Sequence, residues 1–254
     1  MTNAGLLRRF EDNVRAVGSQ EREVVRLAAF DLFFSPSAVE YLSFALPRSP
    51  DPEVWAPHVA AMQAAFRERG KRPRLEYFEE LHPRLDDLLE EASLVCQMRA
   101  PVMALRLERL PAATAGVPGR YQPLDAEDAP LLVHYLRRQN VAYGDDDDAR
   151  ALDWLPSLRS GLSSGNVMGA AWRQGEAPVA GAVIQIGAGT GELAGVWTDP
   201  QKRRQGLAYA VCRQLLAEYA DAGFDLCWLS AAEGAQRLYE KLGFVRVGTQ
   251  LNYG

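Results

Sequence analysis

The chain has 254 residues, 48% of them hydrophobic and 24% charged, with a formal net charge of −5. That balance fits a globular protein of one large domain or two of ordinary size. No run approaches the roughly 20 apolar residues that a membrane-spanning helix needs, and no basic patch of a nucleic-acid binder stands out. Neither a membrane nor a nucleic acid is therefore an expected partner.

The opening residues MTNAGLLRRF place charge where a signal peptide needs its apolar core, so the expected location is cytoplasmic. Cys96, Cys212 and Cys227, and His58, His82 and His134, are scattered without metal-ligand spacing. The expectation is reduced, mostly buried thiols and no metal.

In chain order, Val39–Leu46 reads as a strand, Glu53–Arg69 as a helix and Arg74–Phe78 as a strand. Pro83–Ala92 reads as a helix and Leu94–Leu107 as extended. The Ala-, Pro- and Gly-rich stretch from Leu110 to Gln122 reads as a connection, with a linker at 111–118 between domains of residues 1–110 and 119–254.

Past the linker, a strand is expected around Gly119–Pro123 and helices over Asp125–Asn140 and Ala149–Leu162. Strands follow at Gly165–Trp172, Pro178–Ile186 and Glu192–Thr198. A long helix over Gly206–Ala222 carries Leu207, Ala210, Val211, Leu215 and Tyr219 at helical spacing, with Gly223 as its stop. A strand at Phe224–Ser230, a helix at Glu233–Leu242 stopped by Gly243, and a last strand at Phe244–Leu251 complete a mixed α/β domain.

The chemistry concentrates at Arg203-Arg204-Gln205-Gly206-Leu207-Ala208, between the Asp199-Pro200 turn and the long helix. A helix start offers unpaired N–H groups and the positive end of the helix dipole, which suits phosphate. Gly206 has no Cβ to hold a diphosphate off, Ala208 keeps its position small, and Lys202, Arg203 and Arg204 add positive charge. Taken alone, the six residues fit an ordinary helix start with solvated arginines equally well.

Two motifs in order break that tie. Arg203, Gly206 and Ala208 match Gln/Arg-x-x-Gly-x-Gly/Ala, and Ala235-Gln236-Arg237-Leu238-Tyr239-Glu240-Lys241-Leu242-Gly243-Phe244 matches Ala-x-x-Leu-Tyr-x-Lys-Leu-Gly-Phe. From about Tyr121 onward the chain thereby resembles the GCN5-related N-acetyltransferase (GNAT) family. The resemblance implies a mixed, largely antiparallel sheet flanked by helices. It also implies an acetyl-coenzyme A-dependent transferase that moves acetyl to a primary amine by direct attack, without a metal.

In that comparison the backbone of Val196, Trp197 and Thr198 runs beside the pantetheine arm, and this strand splays from its neighbour. Arg203, Arg204, Gln205, Gly206, Leu207 and Ala208 hold the diphosphate. Tyr239 is the acid that protonates the departing thiolate, its phenol remaining a donor at neutral pH. Glu192 is the candidate base for the ammonium acceptor, its distance from Arg203 matching the base of the histone-acetylating branch. A small-molecule or peptide amine is the expected acceptor, on a monomer or homodimer.

The alternative is an acyl-coenzyme A-binding regulatory or scaffolding protein that does not catalyse. Many relatives carry an Asn near the position of Ala232, whereas Ala231 and Ala232 offer no such side-chain contact.

The run Asp145–Asp148 reads as a solvated surface feature, with attraction of a cationic amine as the alternative. Gly187-Ala188-Gly189-Thr190-Gly191 precedes a strand, which argues against a dinucleotide loop.

The N-terminal order βαβαβ repeats the order from Glu192 to the C-terminus, and Leu88–Val95 aligns with Leu238–Val245. Two readings stand: a second GNAT-like copy, or an unrelated α/β domain. In a second copy, Leu89 stands at the position of Tyr239, and Pro47-Arg48-Ser49-Pro50 replaces the phosphate loop. That half would be structural or substrate-shaping and hold no coenzyme A.

Overall fold

The computed structural model describes all residues except 1, 21, 38, 49–51, 113–115, 146 and 148–150. The described elements run α1 (Asn3–Gly18), β1 (Glu23–Arg26), β2 (Phe30–Phe34), β3 (Phe44–Pro47), α2 (Pro52–Glu68), β4 (Leu75–Phe78), α3 (Leu85–Glu91) and β5 (Cys96–Arg106). They continue with β6 (Arg120–Pro123), α4 (Ala129–Ala142), α5 (Leu155–Ser164), β7 (Val167–Gln174), β8 (Ala177–Gly187) and β9 (Thr190–Thr198). The chain ends with α6 (Leu207–Asp221), β10 (Leu226–Ser230), α7 (Gln236–Lys241) and β11 (Val245–Tyr253). The architecture is mixed α/β, with largely antiparallel sheet flanked by helices.

The chain divides into two compact units that are not two consecutive stretches. The first holds Met1–Met103 together with Ser230–Glu233 and Arg246–Gly254; the second holds Ala104–Leu229 and Gly234–Val245.

In the first unit the strand order is β1-β2-β3-β4-β11-β5. Thr2 opens α1 by accepting the Gly5 N–H at 3.3 Å, and Leu6, Leu7 and Phe10 form its buried stripe. All five residues of β2 are buried, including Asp31, whose carboxylate pairs with Arg15 and with Arg48 at 3.5 Å. A carboxylate buried in a strand persists only with such partners.

The pattern of residues before Val39 announces none of α1, β1 and β2. A strand is expected over Val39–Leu46, but a 3-10 turn at Glu40–Leu42 takes the first half and only β3 is extended. Ser49 and Pro50, in the segment read as replacing a phosphate loop, lie outside the described residues.

The C-terminal strand β11 completes this unit. It runs antiparallel to β4, with Gln250 opposite Phe78 and Tyr253 opposite Leu75. Leu251 and Tyr253 join a core of Phe30, Leu32, Trp55, Met62, Phe66 and Leu89. The Tyr253 ring stacks on Tyr77 at 6.2 Å. β3 and β4 are parallel and meet at a single pair, Ala45 with Leu75.

In the second unit the order is β10-β9-β8-β7-β6, antiparallel except for the parallel β9–β10 pair. Helix α4 is capped by Asp128, which accepts the Leu131 N–H at 3.0 Å. It packs Leu131, Leu132, Tyr135 and Leu136 with Ala171 and Trp197. Helix α6 buries Leu207, Val211, Cys212, Leu215, Leu216 and Tyr219 at the expected helical spacing.

The connecting stretch is fastened to this unit at its described ends. Arg213 donates to the Pro111 carbonyl at 2.9 Å, and Trp172 and Gln174 donate to the Pro118 carbonyl at 3.0 and 3.2 Å. Among the described residues no helix is long and apolar enough to cross a membrane.

Placement of Leu251 in the first unit's core predicts a specific effect. Leu251→Ala removes a side chain with no solvent exposure and should cost about 2–5 kcal/mol. Denaturant unfolding followed by hydrogen exchange should register that loss at Phe30, Leu75 and Leu89. Protection unchanged there would sever β11 from that core.

Candidate functional site

The site begins where β9 and β10 part. Their parallel ladder consists of Gly191 with Cys227 and Glu192 with Trp228; β9 then continues to Thr198 with no further pair on that side among the described residues. Its other edge stays on β8, so the N–H and C=O groups facing the opening are left for something else.

The antiparallel register with β8 slips in the same stretch. Gly181 faces Trp197 and Val183 faces Ala194, so Gly195 and Val196 together oppose Ala182. This is a β-bulge, and Gly195 adopts the φ of +59° that such a bulge favours.

Two side chains one turn apart, one in α4 and one at its C-cap, brace the bulge. Gln139 Nε2 donates to the Gly195 carbonyl at 3.1 Å, and Tyr143 Oη donates to the Val196 carbonyl at 3.4 Å. Neither was singled out from the sequence. Their i, i+4 spacing is visible there, but its target is a backbone 56 and 53 residues away.

After Thr198 the chain enters the basic loop. The Asp199 carboxylate accepts the Gln201 N–H at 3.0 Å, opening a 3-10 turn at Pro200–Lys202, and also pairs with Arg138. Arg203 Nη2 donates to the Ala142 carbonyl at the end of α4, 2.9 Å away. Arg203 thus holds the loop to α4, a structural task beyond supplying charge.

Arg204 sits at φ +64°, a left-handed conformation disfavoured for any residue with a Cβ. Such strain collects where a backbone must face a ligand. Gly206, at φ +80°, is the N-cap of α6 and provides no side-chain cap. The first-turn N–H groups of α6 therefore have neither a preceding helical carbonyl nor a capping side chain.

A cavity of about 780 Å³ opens at this helix end. It is lined by the loop and helix residues Thr198, Arg203, Arg204, Gly206, Leu207, Ala208 and Tyr209, with Val117 from the connection and Arg237, Leu238 and Lys241 from α7. Six of the residues singled out from the sequence meet here. Gln205 is exposed outside the lining, and Trp197 is buried with its ring 5.4 Å from that of Tyr135. Arg237, Lys241 and Val117 were given no role from the sequence.

Tyr239 follows Leu238 in α7 and is 7% exposed, its ring edge-on to Phe244 at 6.0 Å. Burial, with smaller contributions from the Cys212 thiol and the Tyr143 phenol, raises its pKa above the ordinary phenol value. The hydroxyl is therefore protonated at neutral pH and throughout the usual assay range.

Glu192 is the last β9 residue paired with β10, between Gln185 and Trp228. Burial pushes the Cys212 thiol up to about 12 and raises that of Cys227, so neither supplies a thiolate near neutral pH. Among the described residues no group of three or more His, Cys, Asp or Glu is placed to hold a metal ion.

Of the acidic run, Asp146 and Asp148 lie outside the described residues. Asp145 accepts the Asp147 N–H at 3.0 Å, and Asn140 donates to the Asp147 carbonyl at 3.0 Å, forming a local turn.

Residues 130–244 match the model of the acetyltransferase (GNAT) family. No curated protein matches the chain in sequence. Among solved structures, the chain is similar to a GCN5-related N-acetyltransferase from Kribbella flavida at 23% identity and a TM-score of 0.79, covering 100% of this chain and 96% of that one.

A GCN5-related N-acetyltransferase from Sphaerobacter thermophilus is similar at 16% identity and a TM-score of 0.64, over 98% of this chain and 90% of that one. A tandem GNAT protein from the clavulanic acid biosynthesis pathway is similar at 11% identity and a TM-score of 0.58, over 100% of this chain and 96% of that one. At these identities the likeness is one of fold.

The geometry of Gly206 separates backbone cost from ligand binding. A Cβ there meets only Val117 Cγ2 at 3.5 Å, while Gly175, at φ +60° in the β7–β8 turn, has nothing within 4 Å. Gly206→Ala and Gly175→Ala should each cost about 1–2 kcal/mol through the left-handed conformation. Only the Gly206 variant should also weaken binding of inorganic pyrophosphate in titration calorimetry; equal pyrophosphate affinities would remove Gly206 from the anion site.

Proposed function

From the match of residues 130–244 to the GNAT acetyltransferase family model we propose that the chain transfers acetyl from acetyl-coenzyme A directly to a primary amine. One observation carries the reading: a basic cavity at an uncapped helix N-terminus adjoins a strand that has left its neighbour.

Each part has a chemical use. The first-turn N–H groups of α6, with Arg203, Arg204, Gln205, Gly206, Leu207 and Ala208, take the diphosphate. The freed edge of β9 at Val196, Trp197 and Thr198 lies along the pantetheine amides. A backbone N–H at the bulge then points to the thioester carbonyl and stabilises the oxyanion that forms on attack. With Gln139 and Tyr143 holding the bulge carbonyls, that donor is set before substrate arrives.

The acceptor arrives as an ammonium ion and must lose a proton before it attacks. Glu192 receives it in this reading. Val196 lies four positions along the strand from Glu192, about 13 Å at 3.3 Å per residue, so a water chain completes the path. The amine nitrogen attacks the acetyl carbon, the tetrahedral intermediate collapses, and the carbon–sulfur bond breaks as Tyr239 donates its proton to the departing sulfur. The second proton on the nitrogen passes through solvent to the tyrosinate. Burial of Cys212 and Cys227 with raised pKa values supports direct attack over a cysteine-bound acetyl intermediate.

The acceptor class is a small-molecule or peptide amine, used in the cytoplasm by a monomer or homodimer. The N-terminal unit is a degenerate GNAT-like domain without a coenzyme A site. The order β3-α2-β4-α3-β5 and the single-pair parallel contact of β3 with β4 support that view.

A second reading, coenzyme A binding without catalysis, draws on Ala231 and Ala232 at the place where many relatives have an asparagine.

Thiol release from acetyl-coenzyme A across an amine panel separates the two. Turnover is expected, with kcat in Tyr239→Phe lowered about 100-fold and acetyl-coenzyme A affinity retained. A Tyr239→Phe enzyme with the wild-type rate would refute the acid role. Saturable binding with no turnover on any amine would establish the second reading.

Because the folded-state pKa of Tyr239 is raised, its proton is lost only above the ordinary phenol range. The kcat profile should therefore show no alkaline fall below about pH 10. A fall near neutral pH that disappears in Tyr239→Phe would contradict this.

A further inference from the structure

We propose that Tyr135 and Gly181 are positioning residues for the transfer reaction: together they seat the indole of Trp197 and thereby set the freed edge of β9. The proposal rests on the transfer reading above. It concerns two residues that do not line the cavity.

A strand inside a sheet is ordinarily fixed by a ladder on each side. β9 leaves the β10 ladder after Glu192, and the bulge interrupts its β8 ladder between Gly181 and Val183. Something else must hold residues 195–198 in place. Tyr135, Gln139 and Tyr143 recur at i, i+4 and i+8 along α4 and its C-cap, on one face. They meet three consecutive residues of β9. Gln139 and Tyr143 donate to the carbonyls of Gly195 and Val196. The Tyr135 ring lies edge-on to that of Trp197, 5.4 Å away at 74°. The first two contacts hold peptide groups, whereas Tyr135 holds a side chain. Because a strand residue's Cβ direction is tied to its peptide planes, seating the indole fixes how residue 197 is rotated about the strand axis.

Gly181 provides the seat. It stands directly across from Trp197 in the β8–β9 register. A Cβ there would lie 2.3 Å from Tyr135 Cε2 and 2.6 Å from Trp197 Nε1, so both rings rest against the bare backbone of this residue. The φ of Gly181 is not positive, so glycine is needed here for space and not for conformation. Tyr135 and Trp197 are 1% and 2% exposed, and close packing leaves neither ring room to turn aside.

The ring of Tyr135, not its hydroxyl, performs this task. The Trp197 indole N–H lies beside the hydroxyl and acts on its ionisation. The two are not aligned as a hydrogen bond, and both atoms are buried without a partner among the described residues. Phenylalanine would keep the ring contact and spare the burial of an unpaired hydroxyl.

The N–H at the bulge has to point to where the oxyanion forms, and a misplacement of about 1 Å costs on the order of 100-fold in rate. The diphosphate is held elsewhere, at the start of α6. Displacing Trp197 therefore lowers kcat far more than it weakens cosubstrate binding.

Steady-state thiol release and acetyl-coenzyme A calorimetry on the full chain test this, below the melting temperature of every variant. Gly181→Ala and Tyr135→Leu should each lower kcat about 10- to 100-fold, with a much smaller change in affinity. Tyr135→Phe should keep the wild-type kcat and melt no lower than wild type. Gly169→Ala is the control: its Cβ would crowd Leu124 Cδ1 at 2.9 Å in the same core, but it pairs with Val183 and not with Trp197. It should keep the wild-type kcat.

Wild-type kcat in Gly181→Ala and Tyr135→Leu would overturn the proposal. So would an equal loss in Gly169→Ala, or a Tyr135→Phe enzyme as slow as Tyr135→Leu. If Gly181→Ala does not fold, Tyr135→Leu carries the same readings. Should wild type turn over no amine, the transfer reading itself fails. The amide NMR shifts of Gly195, Val196 and Thr198 then decide the seating of Trp197: moved by Tyr135→Leu and not by Gly169→Ala they uphold it, and unmoved they refute it.

Discussion

Two residue pairs hold β9 to β10, and the early end of that ladder governs the rest of the second unit. A strand buried in a sheet ordinarily spends its N–H and C=O groups on both neighbours. Past Glu192, β9 keeps its partner on β8 alone and presents its other edge to an opening. The Gly195–Val196 bulge sharpens the turn of that edge. Gln139 and Tyr143 donate to its carbonyls, so the distortion is braced from the C-terminal end of α4. The same helix holds the start of the basic loop through Arg138 and Arg203. One helix therefore positions both the bulge and the loop at the cavity.

Strain and strength are distributed accordingly. Arg204 and Gly206 both adopt positive φ within three residues, and the loop is kept there by Asp199, Arg138 and the Arg203–Ala142 contact. The uncapped helix start that follows would be a defect in an isolated helix. Here it leaves donors at the wall of a cation-lined cavity, and the buried face of α6 secures the helix without a cap.

Much of this was legible in the order of residues. Gly206 and Gly223, with apolar residues at helical spacing between them, marked α6 to within one residue at each end. Alternating apolar strands and Gly-rich turns located β7, β8 and β9. The two motifs around Arg203–Ala208 and Tyr239 carried the resemblance to the family whose model matches residues 130–244, because both are short, local and tied to backbone conformation. The first 38 residues carried no comparable punctuation. β2 is buried at every position and lacks the alternation by which a half-exposed strand announces itself.

Local pattern by itself determined the helices other than α1, most strands and the phosphate-suited loop, since each depends on neighbours a few residues away. Tertiary structure decided three things that such spacing does not encode. It placed β11 against β4, where Leu251 and Tyr253 complete the core of the first unit although they stand at the far end of the chain. It brought Gln139 and Tyr143 to the bulge across more than fifty residues. And it turned Arg237 and Lys241 to the cavity that begins at Gly206. In each case the deciding contacts join residues remote in sequence, whose meeting depends on how strands and helices pack rather than on any pattern within one of them.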